Sequence, residues 1–551
     1  NFVAINGRDT FEDLLPQEIA VAQMITGDVA FQLNLTQMLN KGAKGEASAI
    51  KEITQILNRE VWHPRHKSTL TNAQLKGALP CHAVGKEKRD KTLKTRAVAG
   101  GHRQNKDRYA EREMFSPTSS HMTTMIHLSV AAIEKRPFLL QIDYPGAYLG
   151  IDRKKHDMPT EIMRISGKLA KLVMKVDPTY AKYAENGSFY VELDKSLYGL
   201  VESAALWYKE CTGQLLSAGY HRSIVDPCLF HHHNGLSTIN IHVDDFLCTC
   251  KTTAERDRIR ALFREKQCTI QEQDIDFLHM HIARLHDGSI TVDMESFITE
   301  HLDKWGVEGT APYPAQLHLF DTSDDAPPAK DPKRFTSIVM ALMYMGLRTR
   351  PDILLALSFL ATRCHKATTT DEKKLDTLLR YLRYTAHLKI TLRPESMHIT
   401  TFADASYNVH ADAKGHSGYA ITIGNGAVIA SKSSKQKSTS KSSCEAELIA
   451  ADLSTAQTIR AAQTLAEFGY SDIPTLGQDN EGTIALAHNG SGNYKRTKHI
   501  NTRFFAIKDL IDTNQLDLEH FRTDAMPADI MTKPITGSKF IKFRNQLLNI
   551  K

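Results

Sequence analysis

Two acidic residues stand side by side in INIHVDDFLCTC, residues 239–250, where every neighbour reads as strand. Asp244 and Asp245 repel each other, and burying even one unpaired charge costs several kcal/mol. Just upstream, Asn234-Gly235 is the strongest short hairpin signal. Ile239, Ile241 and Val243 then alternate on one face, so the two Asp fall at a tight turn between strands. A solvated turn would hold such a pair, because Asp suits turns. Asp324-Asp325, in a proline-rich loop with no strands around it, reads that way. Divalent cations are the other solution. KRPFLLQIDYPGAYLG, 135–150, is an apolar strand that ends on Asp143 before a Pro-Gly turn. If that strand lies beside the 241–250 hairpin, three carboxylates converge. Two cations about 4 Å apart would let them coexist and would suit an in-line phosphoryl displacement.

The rest of the chain reads as several domains. A length of 551 residues with 41% hydrophobic content leaves room for roughly three to four globular units. No run approaches the roughly 18 apolar residues of a membrane span, no secretory signal opens the chain, and no membrane partner is expected. Asn1 in place of Met is expected of a piece cut from a longer precursor. Eight cysteines without CxxC spacing read as reduced intracellular thiols with no zinc site. The net charge of +6 permits a polyanionic partner. Residues 1–75 read as a helical or linker extension, with Ile50, Ile53, Ile56 and Leu57 at helical spacing. Residues 85–113 are dense in Lys and Arg. Helices and strands alternate over 120–250, 307–335 is an irregular proline-rich loop, and helical signals return over 335–386.

A second set of carboxylates follows from about residue 396. HITTFADASYN ends a strand on Asp404. The helix beginning SSCEAELIAADL has Ser442 and Glu445 as a capping box, Glu447 in its first turns and Gly469 as its stop. Asp479 ends another strand in IPTLGQDNEGTIALA, and MPADIMTKP places Asp529 on a short helix. Each lies at a strand end or near a helix start, where the helix dipole tolerates negative charge.

Several motifs now resemble one family. IHVDDF is similar to the metal-binding turn of reverse transcriptases, and IDYPGAYLG to the strand carrying their first catalytic Asp. KTRAVAGGHRQ, FSPT, KSLYGLVESAALWY, DPCLF, RFTSIVMALMYMGLRTRPDI and RTKHINTRFF resemble signatures of the copia-type LTR retrotransposon Pol polyprotein, in family order. The order Asp404, Glu447, Asp479, Asp529 resembles ribonuclease H. The resemblance implies an α+β and α/β multidomain fold: a right-hand polymerase with fingers, ferredoxin-like palm and helical thumb, then a ribonuclease H-like mixed α/β domain. It divides the chain into fingers and palm over 76–285, thumb and connection over 286–395, ribonuclease H over 396–540 and a tail over 541–551.

The same resemblance assigns roles. Asp143, Asp244 and Asp245 would hold two Mg2+, with Mn2+ as the alternative, and the four later carboxylates would hold two more. Arg96, Lys86, Lys88 and Arg89 would meet the triphosphate, and Tyr148 would sit under the sugar, where its ring excludes a 2′-hydroxyl. Phe277, Leu278, His279 and Met280 would form the primer grip, while Lys495, Arg496, Lys498 and His499 would follow the hybrid backbone. Implied partners are an RNA template, a DNA or tRNA primer, RNA–DNA hybrid and dNTPs, with integrase and Gag of the same element. The implied setting is cytoplasmic virus-like particles, with cDNA destined for the nucleus. No integrase or protease signature occurs here, so those activities would lie upstream in a precursor. The chain departs from the family at His242, where an aromatic is usual, and at His279, where Gly is usual. Those departures keep open a decayed or co-opted element that binds nucleic acid without turnover, and a polymerase whose ribonuclease H half is only a scaffold.

Overall fold

The fold, taken from a computed structural model, is described for residues 33–87, 91–264, 268–322, 325–424, 426–489 and 498–550. The readings made on residues 1–32, on Lys88 and Arg89, on Asp324, and on Lys495 and Arg496 lie outside the described residues.

The first sheet carries the basic segment. Strand Leu79–Glu87 pairs antiparallel with Leu93–Ala99 and parallel with Ile162–Ser166, which continues through Ser188–Leu193 to Trp62–Arg65. Residues 33–75 therefore depart from the helical extension read in the sequence. Leu33–Asn34 and Trp62–Arg65 are strands at the rims of this sheet, and helix Ala43–Asn58 packs on it through Ile53 and Ile56. The helical period was legible; the flanking strands are too short for a period to show.

Two glycines let the palm approach this sheet. A Cβ on Gly199 would lie 2.3 Å from the Ala99 carbonyl oxygen, and one on Gly101 would lie 1.9 Å from that of Gly199. The crossing is closed by the Ala99 N–H donating to the Tyr198 carbonyl at 2.8 Å. Gly199 also has φ +90, which side chains rarely adopt.

The palm is a six-stranded antiparallel sheet. Strand Phe138–Asp143 lies centrally between Thr269–Glu272 and Asp245–Cys250, and the latter returns through a hairpin to Ser237–His242. The hairpin expected at Asn234-Gly235 joins Leu229–His232 to Ser237–His242, with Gly235 at φ +68. Asp226 of DPCLF accepts from the Ser120 N–H and the Thr123 hydroxyl, tying the start of helix His121–Ile133 to the sheet it supports. Helices Glu295–Trp305, Pro332–Arg348, Leu354–Arg363 and Thr369–Tyr384 follow, and 306–331 carries neither helix nor strand among the described residues.

The last sheet has Ile399–Ser406 at its centre. It is antiparallel to His416–Ile423, which pairs with Val428–Lys435, and parallel to Thr475–Gln478, which pairs with Asp517–His520. Helix Ser443–Ala466 crosses this sheet. Only half of the expected capping box forms: Ser442 Oγ accepts from the Glu445 N–H, but the Glu445 carboxylate accepts from Lys441 instead of Ser442. The architecture is thus a right-hand polymerase followed by a ribonuclease H-like mixed α/β domain. One apolar core runs through helix His121–Ile133, the thumb helices, strand His416–Ile423 and helix Gly537–Leu548. No described helix is long and apolar enough to cross a membrane.

Gly199→Ala should destabilise the fold by about 3 kcal/mol, from the strained φ and the collision with Ala99 together. Urea unfolding measures this, and a change below about 0.5 kcal/mol would mean the crossing can open freely.

Candidate functional site

The pairing register places the first three carboxylates. Asp143 is directly opposite Asp245, and Asp244 lies in the two-residue loop between His242 and Asp245. That loop is strained, because Val243 has φ +59, an outlier for a β-branched residue. Trp207 holds it, its indole N–H donating to the Val243 carbonyl at 2.6 Å. The Tyr144 N–H donates to the Asp244 carbonyl at 3.3 Å, and Gln141 Nε2 donates to Asp245 Oδ1 at 3.0 Å. Burial, then the neighbouring Asp244 and Asp143, push Asp245 up to about 7. Burial also raises Asp244, with Asp143 adding to it and the loop N–H and Arg96 opposing. Asp244 and Asp245, raised by burial and by the carboxylates beside them, fit a divalent cation, which would remove the repulsion.

Tyr148 sits on the short helix Ala147–Gly150 just beyond Asp143. Its ring meets Tyr198 edge-on at 5.1 Å, and the Arg96 guanidinium lies 4.2 Å over the Tyr198 ring. Burial, then Asp244, raise the Tyr148 hydroxyl. Arg96 and Tyr148 are thus brought together, with Tyr198 between them. Sequence reasoning gave Tyr198 and Trp207 no roles, although both stand in the quoted KSLYGLVESAALWY. Lys86 lies two residues along the neighbouring strand from Arg96's partner Val84, close enough to Lys304 for their charges to repel.

The turn at 277–280 carries a correction. Phe277 and Met280 are completely buried in the shared core, so neither can touch a nucleic acid strand. Leu278 and His279 form the loop between them, at φ +53 and +63. His279 accepts the left-handed backbone, with its ring against Phe297 at 4.9 Å, and Tyr344 of the thumb donates its hydroxyl to the Leu278 carbonyl at 2.8 Å. His242 ends its strand beside the carboxylates with a buried Nδ1 that has no partner, and burial followed by the Arg348 charge pulls it down to about 4.

The second centre is tighter. Asp404, Glu447 and Asp479 each offer an oxygen within 4.8 Å of the others, and among the described residues no other such group occurs. Strand Ile399–Ser406 continues two residues past Asp404, which is fully buried, whereas the sequence suggested that it stopped there. Burial pushes Asp404 up to about 6 and holds Glu447 well above the usual carboxylate range. Glu447 Oε2 is buried and accepts no hydrogen bond. An orphaned anionic oxygen facing two further carboxylates fits a divalent cation.

Asp529 is not brought into this group. Lys533 and Lys539 donate to its two oxygens at 2.6 and 2.7 Å, and Lys533 also reaches Asp404 at 2.9 Å. Burial opposes the Lys533 charge, but Asp404 and Asp529 outweigh it and hold the ammonium protonated. Asp529 can lie here because Gly418, opposite Asp404, has no side chain: a Cβ there would be 2.4 Å from that of Met531. Lys533 was missed, although it stands in the quoted MPADIMTKP. Lys498 and His499 begin the helix Lys498–Asp512, and their side chains are not described.

Residues 76–316 match the family described as reverse transcriptase (RNA-dependent DNA polymerase). This part of the chain is similar to that family. The similarity to retrotransposon Pol proteins covers most of the chain. It is 26% identical over 488 residues to the retrovirus-related Pol polyprotein from transposon TNT 1-94 of Nicotiana tabacum, covering 84% of this chain and 35% of that protein. It is 24% identical over 527 residues to the transposon TyH3 Gag-Pol polyprotein of Saccharomyces cerevisiae, covering 91% and 28%. The chain therefore spans about a third of the length of these curated relatives. Among solved structures, a foamy viral protease-reverse transcriptase dRH in complex with ds DNA shares the fold, at TM-score 0.52 and 12% identity over 88% of this chain and 70% of that one.

The raised carboxylates give a pH prediction. Between the ordinary Asp value near 4 and about 7, folded Asp245 keeps a proton that the unfolded chain releases. Metal-free stability therefore falls as pH rises through that window. Thermal melts should show Mg2+ raising Tm more at pH 8 than at pH 5, and Asp245→Asn should flatten the metal-free decline.

Proposed function

We propose that the chain is an RNA- and DNA-directed DNA polymerase with ribonuclease H activity, which copies retrotransposon RNA into DNA and removes the RNA strand of the resulting hybrid. The observation that carries this reading is the pairing of Asp143 with Asp245, with Asp244 in the adjoining loop, inside the span that matches the reverse transcriptase family. Asp143, Asp244 and Asp245 would hold Mg2+, which supplies charge neutralisation and lowers the pKa of a bound hydroxyl. The chain itself does the rest. Arg96 offers a cation to the triphosphate of a dNTP, steadied by the Tyr198 ring. Tyr148 presents its ring where a ribose 2′-hydroxyl would project. Leu278 and His279 meet the primer, DNA or tRNA, on a loop fixed to the thumb through Tyr344.

In the second centre Asp404, Glu447 and Asp479 would hold Mg2+ against the RNA strand of a hybrid. Lys533 meanwhile neutralises Asp404 and Asp529, and Asp529 would join the centre only when its lysines turn away. Gag and integrase of the same element, in cytoplasmic virus-like particles, complete the setting that we propose.

A labelled DNA primer on an RNA template, with Mg2+ and dNTPs, tests both halves in the same lanes. Asp244→Asn should lower extension by on the order of a hundredfold or more and leave template shortening intact. Asp479→Asn should do the reverse. A parent chain that binds hybrid tightly but extends nothing would replace this reading with one of binding without turnover.

A further inference from the structure

Helix Ala43–Asn58 lies outside the matched 76–316 span, yet it and its C-cap residue Arg59 contact the backbone beside Arg96 and at the base of the short helix bearing Tyr148. Among the described residues, strand Leu93–Ala99 pairs with another strand along one edge only, and the helix covers the other. Ser48 Oγ donates to the Leu93 carbonyl at 2.9 Å, and Glu52 Oε1 accepts from the Ala97 N–H at 3.1 Å. The residue that Glu52 holds is the neighbour of Arg96. At the other end, Arg59 donates through Nη1 to the Gly146 carbonyl at 2.9 Å and through Nη2 to the Pro145 carbonyl at 3.2 Å. Residues 48, 52 and 55 fall at successive turns of one helix face, and Arg59 is the C-cap residue that follows it.

The Gly146 carbonyl is a pivot. It also accepts from the Leu149 N–H at 3.0 Å, which closes the short helix bearing Tyr148. Gly146 is left-handed at φ +65, and a Cβ there would lie 2.9 Å from Gln55 Nε2 and 3.0 Å from Arg59 Nη1. The far side of the same turn is tied to the carboxylates by the Tyr144 N–H bond to Asp244. The Arg59 end is fixed in turn, since Lys195 Nζ donates to the Arg59 carbonyl at 2.6 Å. Between Glu52 and Arg59 the helix rises about 10 Å.

We infer that this helix is a rigid strut setting the width of the nucleotide pocket, with Arg59 the positioning residue that holds Tyr148 where it rejects a ribonucleotide. The inference rests on the polymerase reading. A bidentate guanidinium on two successive carbonyls fixes both the position and the tilt of the turn, which a single donor cannot do. Removing it frees a left-handed glycine at the base of the Tyr148 helix, and the ring then yields to a 2′-hydroxyl. Arg59 touches no substrate. Its loss should therefore affect the choice between nucleotides more than the chemistry of joining the correct one.

The test uses the full chain as Arg59→Met and Arg59→Lys beside the parent, with single-nucleotide incorporation of a dNTP and of the matching rNTP on a primed RNA template. Thermal melting is recorded for each. The strut predicts that Arg59→Met lowers the ratio of dNTP to rNTP kcat/KM on the order of tenfold, mostly through better rNTP use. Arg59→Lys should restore part of that ratio. A lower Tm with activity reduced equally for both nucleotides would overturn the inference and make Arg59 a stabilising contact only. So would an unchanged ratio in a stable variant. If Arg59→Met does not fold, an unchanged ratio in Arg59→Lys is the overturning result. A parent that incorporates no dNTP would overturn the polymerase reading itself, and the strut with it.

Discussion

Mutual repulsion between Asp143, Asp244 and Asp245 is the constraint around which the palm is arranged. Nothing in their pairing relieves it: the register sets two of them opposite each other, and the loop adds the third. The scaffold compensates by over-determining their backbone. A β-branched residue at positive φ costs of order 1–3 kcal/mol and persists only where its surroundings hold it. The Trp207 indole on one side and the Tyr144 amide on the other hold it here. Asp226 then fixes the helix beneath, and Tyr208 donates its hydroxyl to the Pro227 carbonyl at 2.6 Å, locking the DPCLF loop to the helix that carries Trp207. Residues far apart in sequence are thereby committed to one loop of two residues.

The two acidic centres meet the same repulsion differently. In the palm, Asp143 is exposed and Asp244 and Asp245 are half-buried, and the Lys94 charge opposes the rise of both. In the last domain Asp404 and Asp529 are fully buried, and an ammonium group lies between them. A buried anion needs such a partner, since removal from water costs several kcal/mol. Glu447 feels the Lys533 charge but makes no ion pair with it among the described residues, and its Oε2 is buried without a donor. The lysines thus set Asp529 apart, held by Lys533 and Lys539, from Asp404, Glu447 and Asp479, whose oxygens face one another.

Much of this was legible in the sequence, and the limits have physical causes. The clustering of Asp143, Asp244 and Asp245 was readable because a charge interrupting an apolar strand is conspicuous, and the Asn234-Gly235 turn marked the hairpin that leads into it. The strand that carries Arg96 was readable from Ala97, Val98 and Ala99. Phe277 and Met280 were misplaced because a motif does not tell which of its members face inward; alternation about the left-handed 278–279 loop buries both. Lys533 was missed because a lysine near a carboxylate four residues away reads as a surface pair, and only the tertiary fold brings Asp404 to it. Strands such as Leu33–Asn34 are defined by their partners alone and leave no local trace.

The shared core has a consequence for how the chain is made. Phe543, Leu547 and Leu548 pack in the same apolar cluster as Met122, Ile126 and the thumb residues Val339 and Leu342, and Asn549 donates to the Thr391 carbonyl. During synthesis the palm and thumb emerge first, yet part of the surface that closes their core arrives more than 150 residues after Thr391. At about 5–20 residues per second, that leaves a wait of many seconds with apolar helix faces uncovered. The palm and thumb therefore complete their core only once the last helix, Gly537–Leu548, has emerged.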